Sequence, residues 1–234
     1  MCLSVPPTSK PFPRFIADTS QESRPHGRWE ERLVEALSDR CAALADEAGA
    51  PLDTEAIRWF PERTWGERAY IPATSRTTGP EGGAIEYFGY VSYRRAESEG
   101  EEPTDLRATA DFTDVTVEDN PDWKIDLNDD VIGGWRADGS RGGDVTLIWG
   151  VPLVRGAFAA TAELEGEVLD QCAVEEGRFT LLAVDAVAGF GDDLYLTVHL
   201  WDRRLRPVAA ESLYDEPEAP EPAPDPAPDK PDAT

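Results

Sequence analysis

Hydrophobic residues recur at helical spacing over one clear stretch of this chain. Within residues 28–48, Trp29, Leu33, Leu37, Cys41, Leu44 and Ala48 fall on one stripe, and Glu30, Glu31, Glu35, Asp39, Asp46 and Glu47 fill the other face. The spacing predicts an amphipathic helix stopped by Gly49 and Pro51. Asp53 as an N-cap and Pro61 as a stop bound a short second helical segment over residues 53–60.

Further along, the period changes to two. Residues 84–95 read as an aromatic strand carrying Tyr87, Phe88, Tyr90 and Tyr93. Leu106, Ala108, Ala110 and Phe112 alternate with polar residues before the phase slips to Val115 and Val117, as at a bulge. Val145, Leu147 and Trp149 mark one face of the next strand, and residues 153–164, 167–175, 178–187, 194–201 and 208–214 follow at short intervals. The separators, Glu165-Gly166, Glu176-Gly177 and residues 189–193, are turn-like. Turns this short join antiparallel strands, because a parallel return needs a crossover of roughly a dozen residues. The pattern predicts an α+β fold that is mostly antiparallel β: a meander of seven to nine strands with one N-terminal amphipathic helix packed on it. The sheet either closes into a barrel or stays open and curved around the helix.

At the ends the periodicity disappears. Residues 1–27 contain Pro6, Pro7, Pro11, Pro13 and Pro25 and read as an extended arm; residues 215–234 repeat Pro, Ala, Asp and Glu and read as a disordered acidic tail. A single domain over residues 28–214 lies between them.

Charge narrows the setting. The chain has 47 Asp and Glu against 22 Lys and Arg, a net of −25, and its lysines are Lys10, Lys124 and Lys230. The tail accounts for −6, which leaves −19 on residues 1–214, spread without a block of like charge. At molar salt the Debye length falls to about 3 Å, so such a surface stops repelling itself while it remains hydrated. Codon bias toward Arg accounts for the scarce lysines but less readily for the acid excess. The composition therefore predicts a soluble, salt-adapted protein. The N-terminus lacks the basic start and apolar run of a signal peptide, and no apolar stretch approaches the roughly 20 residues of a membrane span. A cytoplasmic location without membrane contact is expected. Nucleic acid is not an expected partner, since phosphate binding needs a basic surface.

Candidate chemistry is sparse. Cys2, Cys41 and Cys172 are far apart, with no Cys-x-x-Cys pair. Cys2 resembles, in position alone, the nucleophile of N-terminal-nucleophile hydrolases, but Pro6 and Pro7 cannot continue the central strand that those enzymes place there. Cys41 lies on the helical apolar stripe and reads as a core residue. With His26 and His199 as the only histidines, no zinc ligand set is expected. Asp126-x-Asn128-x-Asp130 starts like a calcium loop, yet Val131 and Ala137 stand where the loop needs Gly and Glu. No metal and no cofactor are expected. Arg203, Arg204 and Arg206 form the one basic cluster, a candidate anion or partner contact.

His199 is the residue charge does not explain. In residues 194–201, Leu194, Leu196, Val198 and Leu200 share a core-like face, while Tyr195, Thr197, His199 and Trp201 share an amphipathic one. With Tyr87 and Tyr90, the second set is the candidate surface for a small apolar ligand or a protein partner. The reading is a non-enzymatic ligand- or protein-binding β domain. The alternative is a small hydrolase or isomerase in which His199 is a general base oriented by a carboxylate such as Asp185. An adaptor that binds through its acidic proline-rich tail is a third.

Overall fold

In the computed structural model, which describes residues 29–95, 103–136, 142–164, 166–184 and 196–213, the apolar stripe folds as two helices. α1 (Glu30–Ala42) and α2 (Ala45–Ala48) are separated by a turn at Ala43 and Leu44, and Gly49 closes α2 in the left-handed conformation at φ 74°. The stripe itself is kept across the break: Leu33, Leu37, Cys41 and Ala48 are buried. The expected arm and tail lie outside the described residues.

The second helical segment expected over residues 53–60 does not form. Asp53 Oδ1 accepts the Glu55 N–H at 3.0 Å in a turn, and β1 (Arg58–Trp59) follows. Trp59 and Phe60 are buried, so sheet pairing with a distant strand outweighs the local capping signal.

Twelve strands are described rather than seven to nine. After β1 come β2 (Arg63–Trp65), β3 (Arg68–Thr78), β4 (Ala84–Arg94), β5 (Thr104–Thr113), β6 (Ile125–Arg136), β7 (Gly142–Pro152), β8 (Ala159–Leu164), β9 (Glu167–Ala173), β10 (Phe179–Val184), β11 (Leu196–Trp201) and β12 (Pro207–Ser212). All pairings among the described residues are antiparallel, but they form three open sheets instead of one meander. The first runs β1-β3-β4-β5 with β2 also on β3, the second β10-β7-β6, the third β12-β11-β8-β9. None closes into a barrel. The phase slip at Val115 is not a bulge: β5 ends at Thr113 and Val115 is exposed beyond it.

Strands buried on both faces explain why the sheets stack. Residues 69–75 of β3 and 145–150 of β7 are buried without interruption, so each needs a covering layer on either side. One face of β3 and β4, with Ile71, Ala73, Tyr87 and Val91, packs under Leu33, Leu37 and Cys41 of α1. Their other face, with Tyr70 and Tyr90, meets Leu147 and Trp149 of β7 and Phe60. The opposite face of the second sheet, with Ile148, Phe179, Leu181 and Ala183, meets Ala160, Ala162, Leu196, Val198 and Leu200 of the third. The order of layers is thus helix, first sheet, second sheet, third sheet.

Pro72 sits inside β3, where a missing N–H is normally disallowed. Its carbonyl accepts the Phe60 N–H at 2.9 Å, so its nitrogen points to the same side, where β1 has ended and β2 has not begun. The missing donor falls in that gap.

Candidate functional site

The structure disperses the aromatic candidates. Tyr87 faces the helix layer, with its hydroxyl donating to the Ala50 carbonyl at 2.6 Å. Tyr90 lies on the opposite face of the same strand and meets Tyr70 edge-on, ring centroids 5.7 Å apart, between the first and second sheets. Neither shares a face with His199, which belongs to the third sheet. Asp185 and Tyr195 lie outside the described residues.

The split of β11 into two faces matches its alternation. Leu196, Val198 and Leu200 are fully buried against the second sheet, so Thr197, His199 and Trp201 point to the far side of the third. There His199 pairs in register with Thr161 of β8, and Thr197 with Glu163. Strand twist brings the diagonal neighbours into reach. Trp201 Nε1–H donates to Thr161 Oγ1 at 2.9 Å, and the Thr161 hydroxyl donates to Glu163 Oε1 at 2.9 Å. Glu163 Oε2 then lies 3.7 Å from His199 Nε2, an ion-pair distance rather than a hydrogen bond. The His199 and Trp201 rings stack at 6.2 Å and 29°. Thr161 and Trp201 are buried, while the His199 side chain keeps 29% of its surface exposed. The row therefore runs from a buried indole to a half-exposed imidazole.

Glu163 is the member that sequence reasoning missed. Thr161 and Glu163 alternate with Ala160, Ala162 and Leu164, which marks a polar face on β8. That β8 lies beside β11 is a matter of topology, and no spacing in the chain encodes it.

A second polar assembly closes the gap between the first and second sheets. Arg76 of β3 bonds Glu86 of β4, reaches Glu118 at 2.7 Å and Asp126 of β6 at 2.9 Å. Glu86 is nearly buried; burial and the Asp126 charge raise its pKa against the pull of Arg76. Burial likewise raises Asp126. Residues 126–130 are extended within β6 rather than curled as a cation loop. Asp126, Asn128 and Asp130 oppose Val151, Trp149 and Leu147, whose side chains meet the first sheet, and Asp129 opposes Ile148 on the other face. Burial and the adjacent Asp130 push the Asp129 carboxyl up to about 6.

Cys2 lies outside the described residues, and the two described thiols are not activated. Burial pushes Cys41 up to about 11 and Cys172 up to about 12, so neither offers thiolate near neutrality. Among the described residues no three His, Cys, Asp or Glu side chains are grouped to hold a metal ion, and no helix is long and apolar enough to cross a membrane. No family model, no curated protein and no solved structure matches the chain.

Proposed function

We propose that this chain is a non-enzymatic binding domain, salt-adapted and cytoplasmic, that receives its ligand or protein partner on the outer face of the third sheet around His199. The observation that carries the reading is the Trp201–Thr161–Glu163–His199 row. Each interior polar group in it is directed at another member, so the row shapes the face and leaves the imidazole edge and Thr197 to meet a partner. Preorganisation of this kind lowers the entropy lost on binding.

The enzyme alternative also has one supporting observation. Glu163 stands where an orienting carboxylate is needed, a role that sequence reasoning gave to Asp185. Thr161, the nearest hydroxyl in the row, directs its proton to Glu163 rather than to His199, which makes it a poor nucleophile for this base.

The test uses the protein purified from its own cells at high salt. Native mass spectrometry identifies any co-purifying ligand or subunit, and that species is then titrated back while the imidazole proton resonances are followed. His26 and His199 give two imidazole signals, and His199→Gln assigns them. The reading expects the His199 signal to move on binding and the affinity to fall about tenfold in His199→Ala. Binding that leaves the His199 signal in place would overturn it. Turnover of an ester or enolisable substrate that is abolished in both His199→Gln and Glu163→Gln would replace it with the enzyme reading.

A further inference from the structure

The β11–β12 turn is built around one carboxylate. Asp202 Oδ1 accepts the backbone N–H groups of Arg204 at 2.7 Å and Arg206 at 3.0 Å, while Oδ2 accepts Arg206 Nε at 2.8 Å and Nη2 at 2.7 Å. The Asp202 N–H donates to the Arg206 carbonyl at 2.9 Å and closes the loop. Leu205 takes the left-handed conformation at φ 58°, the position where a three-residue hairpin loop normally has Gly. Its strain, about 1 kcal/mol, is tolerated because Asp202 fixes the turn from both ends. The bonds from the Arg206 N–H and guanidinium hold the Asp202 carboxyl below the usual carboxylate range.

That arrangement uses up Asp202 and Arg206 and leaves two cations. Arg203 lies over the Phe158 ring at 5.2 Å, and neither Arg203 nor Arg204 makes an ion pair with a described residue. In a chain with more than two acids for every base, seven described arginines elsewhere have carboxylates: Arg63, Arg68, Arg76, Arg94, Arg95, Arg107 and Arg178. Arg203 and Arg204 border an open cleft of about 540 Å³ whose other walls are the apolar Ala157, Phe158 and Val174, Gly156 and the mutually paired Asp202 and Arg206. Arg40, Arg58 and Arg155 also make no ion pair among the described residues, but none of those three lines this cleft. The volume is that of a small-molecule site, and the walls join an apolar surface to guanidinium forks.

We infer that this cleft binds a small organic oxyanion, an apolar or aromatic body bearing a carboxylate or phosphate group, with Arg203 and Arg204 holding the anion and Phe158 and Val174 the body. Guanidinium groups pair with both anions through two parallel N–H bonds, which a lysine does not do. The site lies at the loop end of the third sheet and does not depend on the reading of the His199 face.

Calorimetric titration of the full chain with phenyl phosphate, benzoate and inorganic phosphate, at the lowest KCl concentration that keeps the fold, tests the site. Phenyl phosphate or benzoate is expected to bind at least about tenfold more tightly than inorganic phosphate, and which of the two binds better tells phosphate from carboxylate recognition. Arg204→Gln should weaken binding about tenfold. Phe158→Leu should narrow the difference between the organic and inorganic probes. Arg107→Gln, on the first sheet, should change nothing. Failure of all three probes to bind, or equal binding by the wild type and by the Arg203→Gln Arg204→Gln double variant, overturns the inference.

Discussion

Asp129 carries a carboxylate where the fold gives it little water, and its pH dependence follows in sign. Its pKa rises from 3.8 to about 6 on folding, through burial and then the Asp130 charge. A carboxyl raised in this way favours the folded state below its unfolded pKa and loses that contribution as pH rises through about 6. The shift corresponds to about 3 kcal/mol at most, and partial exposure reduces it to about 1–2 kcal/mol. Asp129→Asn should therefore stabilise the protein by about 1–2 kcal/mol at pH 7, and the gain should vanish near pH 4; urea melts of both proteins across that range measure it. Arg76 works in the opposite direction, since it is the cation facing Glu86, Asp126 and Glu118. Arg76→Leu leaves the nearly buried Glu86 without its counterion and should lose about 3 kcal/mol at pH 7. Because Glu86 and Asp126 both have raised pKa values, the loss should shrink as acid protonates them. A loss independent of pH between 4 and 7 would mean that Arg76 acts through packing alone.

At the scale of elements, one close approach sets the first sheet. A Cβ built on Gly89 would lie 2.1 Å from the Thr109 carbonyl oxygen and 2.7 Å from the Ala110 Cα, both backbone atoms of β5. Neither can move without parting β4 from β5. Gly89→Ala is expected to cost at least about 3 kcal/mol, at the upper end for added volume in a packed core, as read by chemical denaturation. A cost below about 1 kcal/mol would show that the two strands separate easily. Elements with a strong period were legible in the chain: α1 through its stripe, β4 through its aromatics, and β11 through its alternation. β3 and β6 were not. β3 contains Pro72 and a run of Ala, Thr, Ser and Arg, and is buried on both faces, so no alternation marks it. β6 alternates acids and apolar residues with no consistent inner face, because its two faces serve two different neighbouring sheets.

For the whole molecule, the net charge of −25 outweighs every local ion pair. That figure already counts the arginines paired around Arg76, Arg68 and Arg63, because acids outnumber bases by 47 to 22, so local pairing leaves the whole excess of acid uncompensated. Self-repulsion on that scale predicts a thermal midpoint that rises steeply between about 0.1 and 2 M KCl, as screening shortens to about 3 Å. A cooperative melt unchanged over that range would detach the acidity from salt adaptation. Charge also explains why acidic clusters point to no site here: an Asp-x-Asn-x-Asp spacing arises easily in such a chain, and at residues 126–130 it lies along an extended strand.

The sequence by itself determined the class of structure and the orientation of its clearest elements. Periods of 3.6 and 2 are local properties of the backbone, so a stripe or an alternation identifies a helix or strand and its buried side wherever it packs. It also determined the acidic character and the grouping of Leu196, Val198 and Leu200 on one side of β11 against Thr197, His199 and Trp201 on the other. Which strands become neighbours was decided only by tertiary structure, because antiparallel pairing over long separations depends on how whole faces fit together. That step split one expected meander into three stacked sheets and placed Glu163 beside His199. It also set Tyr87 and Tyr90 on opposite faces of a different sheet, and put Arg203 and Arg204 over a cleft with no described carboxylate paired to them. Local chemistry was written along the chain; the encounters between its parts were settled by packing.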